Sequence, residues 1–257
     1  VSALLAVLAH PDDETTFGGT LARCAAEGVD VTIVCATGGG GGGGPDENPA
    51  AIIATRQVEL EAAARVLGAA RVVHLERTWG ALPCLRRGNY HLVARDHERA
   101  VERLVRDLRP DVVLTFGNDG VTGHETHVAV GALTRRAVAA SGLTPRLLEV
   151  AYGPAQVAGV MAWIDAHPDC LAEYQEAQLR NPSIGPPVPE FVVVPEEAIT
   201  TVVDVTAFLD VKRRAAACHL SQGGGGGILD AFSAPTAEAF VLAGAAPGTR
   251  EDHVMPR

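Results

Sequence analysis

Aromatic side chains are scarce in this chain of 257 residues, at 4% of the whole, and positive charge is scarce too. Against 31 Asp and Glu stand 21 Lys and Arg, a formal net charge of −10. Gripping a phosphate backbone depends on the opposite balance. General nucleic-acid binding is therefore excluded as a primary role, whereas an uncharged or cationic small substrate is not. The sequence also lacks an apolar run long enough to cross a bilayer. Leu4 to Ala9 is too short, and charge follows it at once, so neither a signal peptide nor a membrane partner is expected. The five cysteines (Cys24, Cys35, Cys84, Cys170, Cys218) contain no Cys-x-x-Cys pair. That removes a zinc ribbon and a thioredoxin-type centre. Their odd number and wide spacing fit a reducing, cytoplasmic setting, with Cys24 and Cys35 as small core residues.

What the chain does have is alternation. Apolar runs at Leu4–Leu8, Val29–Cys35, Val72–Leu75, Val112–Phe116 and Arg146–Tyr152 read as strands. Between them, helical spacing is expected from Thr15 or Thr16 to Glu27, then over Ala50–Leu67, Ala94–Leu108 and Val128–Ala140. Glu76–Tyr90 reads as irregular. The pattern predicts an α/β fold, a Rossmann-like doubly wound and mostly parallel sheet with a C-terminal cap region. In the common strand order 3-2-1-4-5, the carboxyl ends of strands one and four flank the ligand crevice. Beyond residue 153 the expectation is weaker in detail: helix over Ala155–Leu179 broken at Pro168, a loop at Asn181–Pro189, short strands at Val192–Val194 and Thr201–Val205, and a helix at Ala207–Leu220.

The two loops that follow strands one and four hold the chemistry. Ala9-His10-Pro11-Asp12-Asp13-Glu14 gathers an imidazole and three carboxylates in a turn where stability requires none of them. One carboxylate and the His can hold a cation while the neighbouring carboxylate takes a proton from water, as metal-assisted hydrolysis requires. On chemistry alone Asp12 and Asp13 could exchange those roles. Gly123-His124-Glu125-Thr126-His127 puts two imidazoles three residues apart at a helix entrance, facing the same way. Two His and one Asp with an open position make a plausible catalytic zinc site. Arg56, on the second helix, reads either as a solvent or structural ion-pair residue or as a pocket residue. Glu14 could support the turn from behind, on a backbone group or on His10. His74, His91, His97, His167 and His253 have no partner motif.

These residues resemble the PIG-L, or LmbE-like, deacetylases. The family's Ala-His-Pro-Asp-Asp-Glu stands unchanged at Ala9–Glu14, and its Gly-His-Pro-Asp-His corresponds to Gly123–His127. Phe116 to Thr122, the Arg56-Gln57-Val58-Glu59-Leu60 helix and His219-Leu220-Ser221-Gln222 are also similar to family stretches. The resemblance implies one LmbE-like domain over residues 1–257, with 1–152 as catalytic sheet core and 153–257 as cap and C-terminal elements. It implies one Zn2+ per chain held by His10, Asp13 and His127. It further implies Asp12 as general base, His124 as the group that holds the oxyanion and can protonate the leaving amine, and Arg56 as a substrate contact to sugar hydroxyls. The implied reaction is hydrolysis of a linear amide C–N bond, removing an acetyl or other acyl group from an N-acetylglucosamine-type conjugate. The partner is then a small N-acylated amino-sugar, and a homo-oligomer is compatible with the sequence. The alternatives are an amidase of a sugar–thiol conjugate and a non-catalytic metal- or ligand-binding module on the same fold.

Three departures stand out. Thr37 precedes seven glycines where the family has Thr-Arg-Gly-Glu, and a second run covers Gly223–Gly227. Glycines standing in for unidentified residues would produce the same runs, which peptide mapping distinguishes. A dinucleotide fingerprint is not meant by them, because the first strand–helix turn is occupied by His10–Glu14. Glu125-Thr126 replaces the family's Pro-Asp, and Thr122 stands where mycothiol-pathway enzymes carry Tyr.

Overall fold

The computed structural model describes residues 2–43, 46–75, 90–180, 188–246 and 248–256, with backbone only at 90–94. Trp79, Pro83, Cys84 and Gly88, Gly44, the His91 side chain and most of the expected loop at 181–189 fall outside them. β1 (Ala3–Leu8) is buried from Leu4 onward, and each large apolar side chain withdrawn from water there contributes about 1.5–3 kcal/mol. β2 (Asp30–Cys35), β3 (Arg71–His74), β4 (Val112–Phe116) and β5 (Arg146–Ala151) lie parallel with it. β1 and β4 are direct neighbours, with Leu4 opposite Val112 and Ala6 opposite Leu114. Their carboxyl ends therefore open on the same crevice, as the strand order 3-2-1-4-5 requires.

The sheet continues beyond that order. Its full sequence is β3-β2-β1-β4-β5-β7-β6, where β6 is Thr201–Asp204 and β7 is Ala237–Leu242. β7 runs antiparallel to both β5 and β6. β7 was not foreseen, because Ala237 and Glu238 blunt its apolar pattern. Val192–Val194, expected as a strand, makes among the described residues only single backbone bonds, from Val192 N–H to the Val121 carbonyl and from Val194 N–H to the Tyr152 carbonyl (2.8 and 2.9 Å).

Helices α1 (Gly18–Ala26), α2 (Pro49–Leu67), α3 (Tyr90–Leu108) and α4 (Glu125–Ser141) fill the crossovers. Gly28 and Gly68 end α1 and α2 at φ +83° and +78°, which costs a glycine nothing. Neither Thr15 nor Thr16 caps α1. A 3-10 turn over Asp13–Thr16 comes first, and both hydroxyls donate to carbonyls behind them, of Asp12 and Asp13. The free amides of Gly19 and Thr20 instead donate to the Glu238 carboxylate (3.0 and 2.7 Å). That carboxylate also meets Lys212, the only lysine in the chain, at 2.8 Å, with both side chains 1% exposed. Lys212 sits on α7 (Leu209–Ala216), so this buried pair ties the C-terminal third to the first helix.

α5 (Pro154–Ala166) and α6 (Pro168–Arg180) are separated at Pro168 as expected. Among the described residues no helix is long and apolar enough to cross a membrane. Cys24 and Cys35 are buried, and burial pushes the Cys24 thiol up to about 12 and the Cys35 thiol well above its ordinary value.

His97 on α3 is buried, and its Nε2 has no hydrogen-bond partner among the described residues. Burial, against a smaller upward pull from Asp96, pushes its imidazole down to about 4. In the unfolded chain the same ring takes a proton near 6.5. Its stabilising effect is therefore complete above that pH and lost as pH falls toward 4, in total about 3 kcal/mol. Urea unfolding between pH 7.5 and 4.5 checks this. His97→Leu is expected to flatten the acid loss, and unchanged pH slopes would show that another group sets it.

Candidate functional site

The first half of the site is the turn after β1. Asp13 folds back on it, its Oδ2 accepting from the backbone N–H of Ala9 (2.9 Å) and His10 (2.7 Å). Asp12 pays for this with a left-handed backbone, φ 113°. Such a conformation costs of order 1–3 kcal/mol in a non-glycine residue and persists where surroundings enforce it. Here they do. Thr15 donates to the Asp12 carbonyl through N–H (3.0 Å) and hydroxyl (2.7 Å), and Asp12 N–H donates to Glu14 Oε2 (3.2 Å).

The second half follows β4. Asp119 Oδ1 accepts from Val121 N–H (2.7 Å), holding two successive residues, Gly120 and Val121, at positive φ (60° and 66°). A γ-like turn of this hand is strained for a β-branched residue. It aims the Gly120 carbonyl at His127 Nδ1, 3.1 Å away. Helix α4 begins at Glu125, earlier than the expected Val128, so His127 lies in its first turn with Nε2 turned to the crevice. The carbonyl on Nδ1 fixes the tautomer that leaves Nε2 able to bind a cation. Phe116 stacks on the same ring at 4.2 Å. His124 caps α4, its Nδ1 accepting from Thr126 N–H at 3.2 Å.

The two halves meet. One ligand atom each from His10, Asp13 and His127 lies within 4.8 Å of the others. Asp13 Oδ1 is 3.2 Å from His127 Nε2, and Asp13 Oδ2 is 3.7 Å from His10 Nδ1. The rings of His124 and His127 stack at 4.6 Å, and His10 lies 4.9 Å from His124 edge-on. Two imidazole nitrogens and a carboxylate oxygen are the donor set of a borderline divalent ion such as zinc.

Electrostatics divides the two aspartates. Burial would raise the Asp13 carboxyl, but His127 and His10 outweigh it and hold it well below the usual carboxylate range. His127 responds in the opposite sense, with burial pulling it down and Asp13 pulling it up by more. For Asp12, burial is the larger effect and raises the carboxyl, while Arg56 draws it only part of the way back. A carboxylate kept ionised beside a cation site, next to one whose basicity is raised, suits ligand and base respectively. His124 stands at the rim, its ring pushed down to about 4 by lost hydration and by its neighbours His10 and His127.

Arg56 is buried beneath the turn. Its Nη2 lies 3.0 Å from Asp12 Oδ2 and donates to the Pro11 carbonyl (2.6 Å), and its Nη1 donates to the Gly39 carbonyl (2.7 Å). Of its two sequence readings, the structural ion pair is the one these contacts support. Glu14 does hold a backbone group, that of Asp12, but its second partner is His219 rather than His10. Glu14 and His219 are both fully buried. Burial lowers the His219 imidazole and Glu14 raises it by more. Sequence reasoning gave His219 no role, because its partner is 205 positions away. Its only signal was the similarity of the His219–Gln222 stretch.

The family model described as "GlcNAc-PI de-N-acetylase", PIG-L, matches residues 5–138. This chain belongs to the PIG-L family. It is 32% identical to a 1D-myo-inositol 2-acetamido-2-deoxy-alpha-D-glucopyranoside deacetylase of Actinosynnema mirum, over 97% of this chain and 95% of that one. The fold is shared with N,N'-diacetylchitobiose deacetylase of Pyrococcus horikoshii (TM-score 0.59, 20% identity, 96% and 84% coverage). It is shared equally with GalB, the 4-carboxy-2-hydroxymuconate hydratase of Pseudomonas putida KT2440 (TM-score 0.63, 16% identity, 96% and 98% coverage). Fold alone therefore does not choose between hydration and deacetylation; the site must.

Proposed function

We propose that this PIG-L member removes the acetyl group of an N-acetylglucosamine-type conjugate, using one zinc ion per chain on His10, Asp13 and His127. The observation that carries the reading is the convergence of those three donors beside Asp12, whose basicity is raised. When bound, the ion supplies the acidity that makes water a nucleophile near neutral pH, and it polarises the amide carbonyl.

The chain's own groups do the rest. Asp12 takes the proton from the attacking water, and Arg56 aims its carboxylate. His124 accepts at Nδ1, so its single proton at neutral pH is on Nε2, positioned to donate to the oxyanion that forms at the attacked carbonyl. Giving that proton to the leaving amine would require an imidazolate. The amine is therefore protonated by Asp12, which returns what it took.

The inositol conjugate named for the relative is the first substrate to try, and Thr122, standing in place of Tyr, makes the aglycone the variable to scan. Acetate release from a panel of N-acetylglucosamine conjugates is expected to stop with a chelator and return with zinc. A non-catalytic module would release no acetate from any member, with or without metal.

A further inference from the structure

The turn that carries Asp12 is closed into a ring of contacts by a segment more than 200 residues away. Glu14 gives one oxygen to the Asp12 N–H (3.2 Å) and the other to His219 Nε2. The remaining nitrogen of His219, Nδ1, has no hydrogen-bond partner among the described residues, so Glu14 is the one polar group the ring serves there. Two residues on, Ser221 donates to Glu59 twice, by N–H to Oε1 (2.8 Å) and by hydroxyl to Oε2 (2.6 Å). Glu59 is three positions after Arg56 on α2, and Arg56 returns to Asp12 at 3.0 Å. The circuit thus runs from Asp12 through Glu14, His219, Ser221, Glu59 and Arg56 back to Asp12.

From this ring we propose that His219 and Ser221 are positioning residues for the deacetylation step, acting on Asp12 through Glu14 and Glu59. The reason is mechanical. Asp12 sits at φ 113°, a conformation that persists only where its surroundings hold it. Arg56 holds the carboxylate and Glu14 the amide. A buried Glu14 without a donor would itself move, and His219 supplies that donor. Ser221 locks the segment bearing His219 to the same helix that bears Arg56. Among the described residues neither makes a hydrogen bond or ion pair with the donors of the proposed ion, so the ring governs the base rather than the metal.

The role of Asp12 as base rests on the function proposed above, and the test has an arm that does not. In metal-free full-length protein, hydrogen exchange of the peptide covering residues 9–17 is expected to quicken in His219→Leu, with the peptides of β1 and β4 unchanged. With metal loaded, His219→Leu is expected to lose about tenfold to a hundredfold in kcat, with KM and zinc content near those of the parent. His219→Gln, which restores an N–H toward Glu14, recovers most of the loss. Ser221→Ala lies at the surface and gives the same pattern at smaller amplitude; it decides the matter if His219→Leu does not fold. Unchanged exchange at 9–17 in the folded variants, or a Gln variant no better than Leu, overturns the proposal. A parent protein that releases no acetate while exchange responds as stated overturns the function reading and leaves the ring in place.

Discussion

Asp12→Asn is expected to keep its zinc and lose about a hundredfold to ten-thousandfold in kcat, the range general-base catalysis commands. Asparagine is the informative replacement for a conformational reason. Position 12 has φ 113°, and Asn tolerates positive φ better than most residues, so the backbone survives the exchange. Its amide oxygen can still accept from Arg56, which now lies 3.0 Å from the carboxylate. What disappears is the ability to take a proton. Metal binding is expected to persist because the converging donors belong to His10, Asp13 and His127. Steady-state rates paired with zinc analysis of the same sample read both quantities. A variant that retains a tenth or more of parental turnover would show that another group is the base.

His127 in α4 and His124 at its cap are expected to separate cleanly. His127→Ala removes a converging donor and the ring stacked on Phe116, so zinc content falls to a small fraction and turnover falls with it. His124→Ala leaves the three donors intact. It costs about 1 kcal/mol through the lost helix cap and about a hundredfold to a thousandfold in kcat through the lost oxyanion donor. Atomic absorption after dialysis, together with melting curves, distinguishes the two. Equal metal loss in both variants would mean that the pair has been assigned the wrong way round.

Much of this site was legible because its parts are local. His10 to Glu14 occupy one turn, and the apolar run Leu4–Leu8 announces the strand that ends there. The parallel order followed from strand–helix alternation, and with it the meeting of the β1 and β4 loops. Three kinds of feature were hidden. Glu238 caps α1 from a strand whose Ala-Glu-Ala start carries little apolar signal, so Thr15 and Thr16 looked like the caps. The Gly120 carbonyl that orients His127 is a backbone group in a strained turn, which side-chain types do not disclose. His219 depends on chain closure over 205 positions, and no local spacing encodes that. Arg56 was visible as a residue, but its direction was set by tertiary contacts with Pro11, Asp12 and Gly39.

The central claim is that a single divalent ion sits between His10, Asp13 and His127. Crystals of the full chain grown with equimolar zinc, measured on both sides of the zinc absorption edge, test it most directly. One anomalous peak is expected, within bonding distance of those three side chains and not bonded to Asp12 or His124. A peak elsewhere, or no peak at a concentration that restores activity, would contradict it.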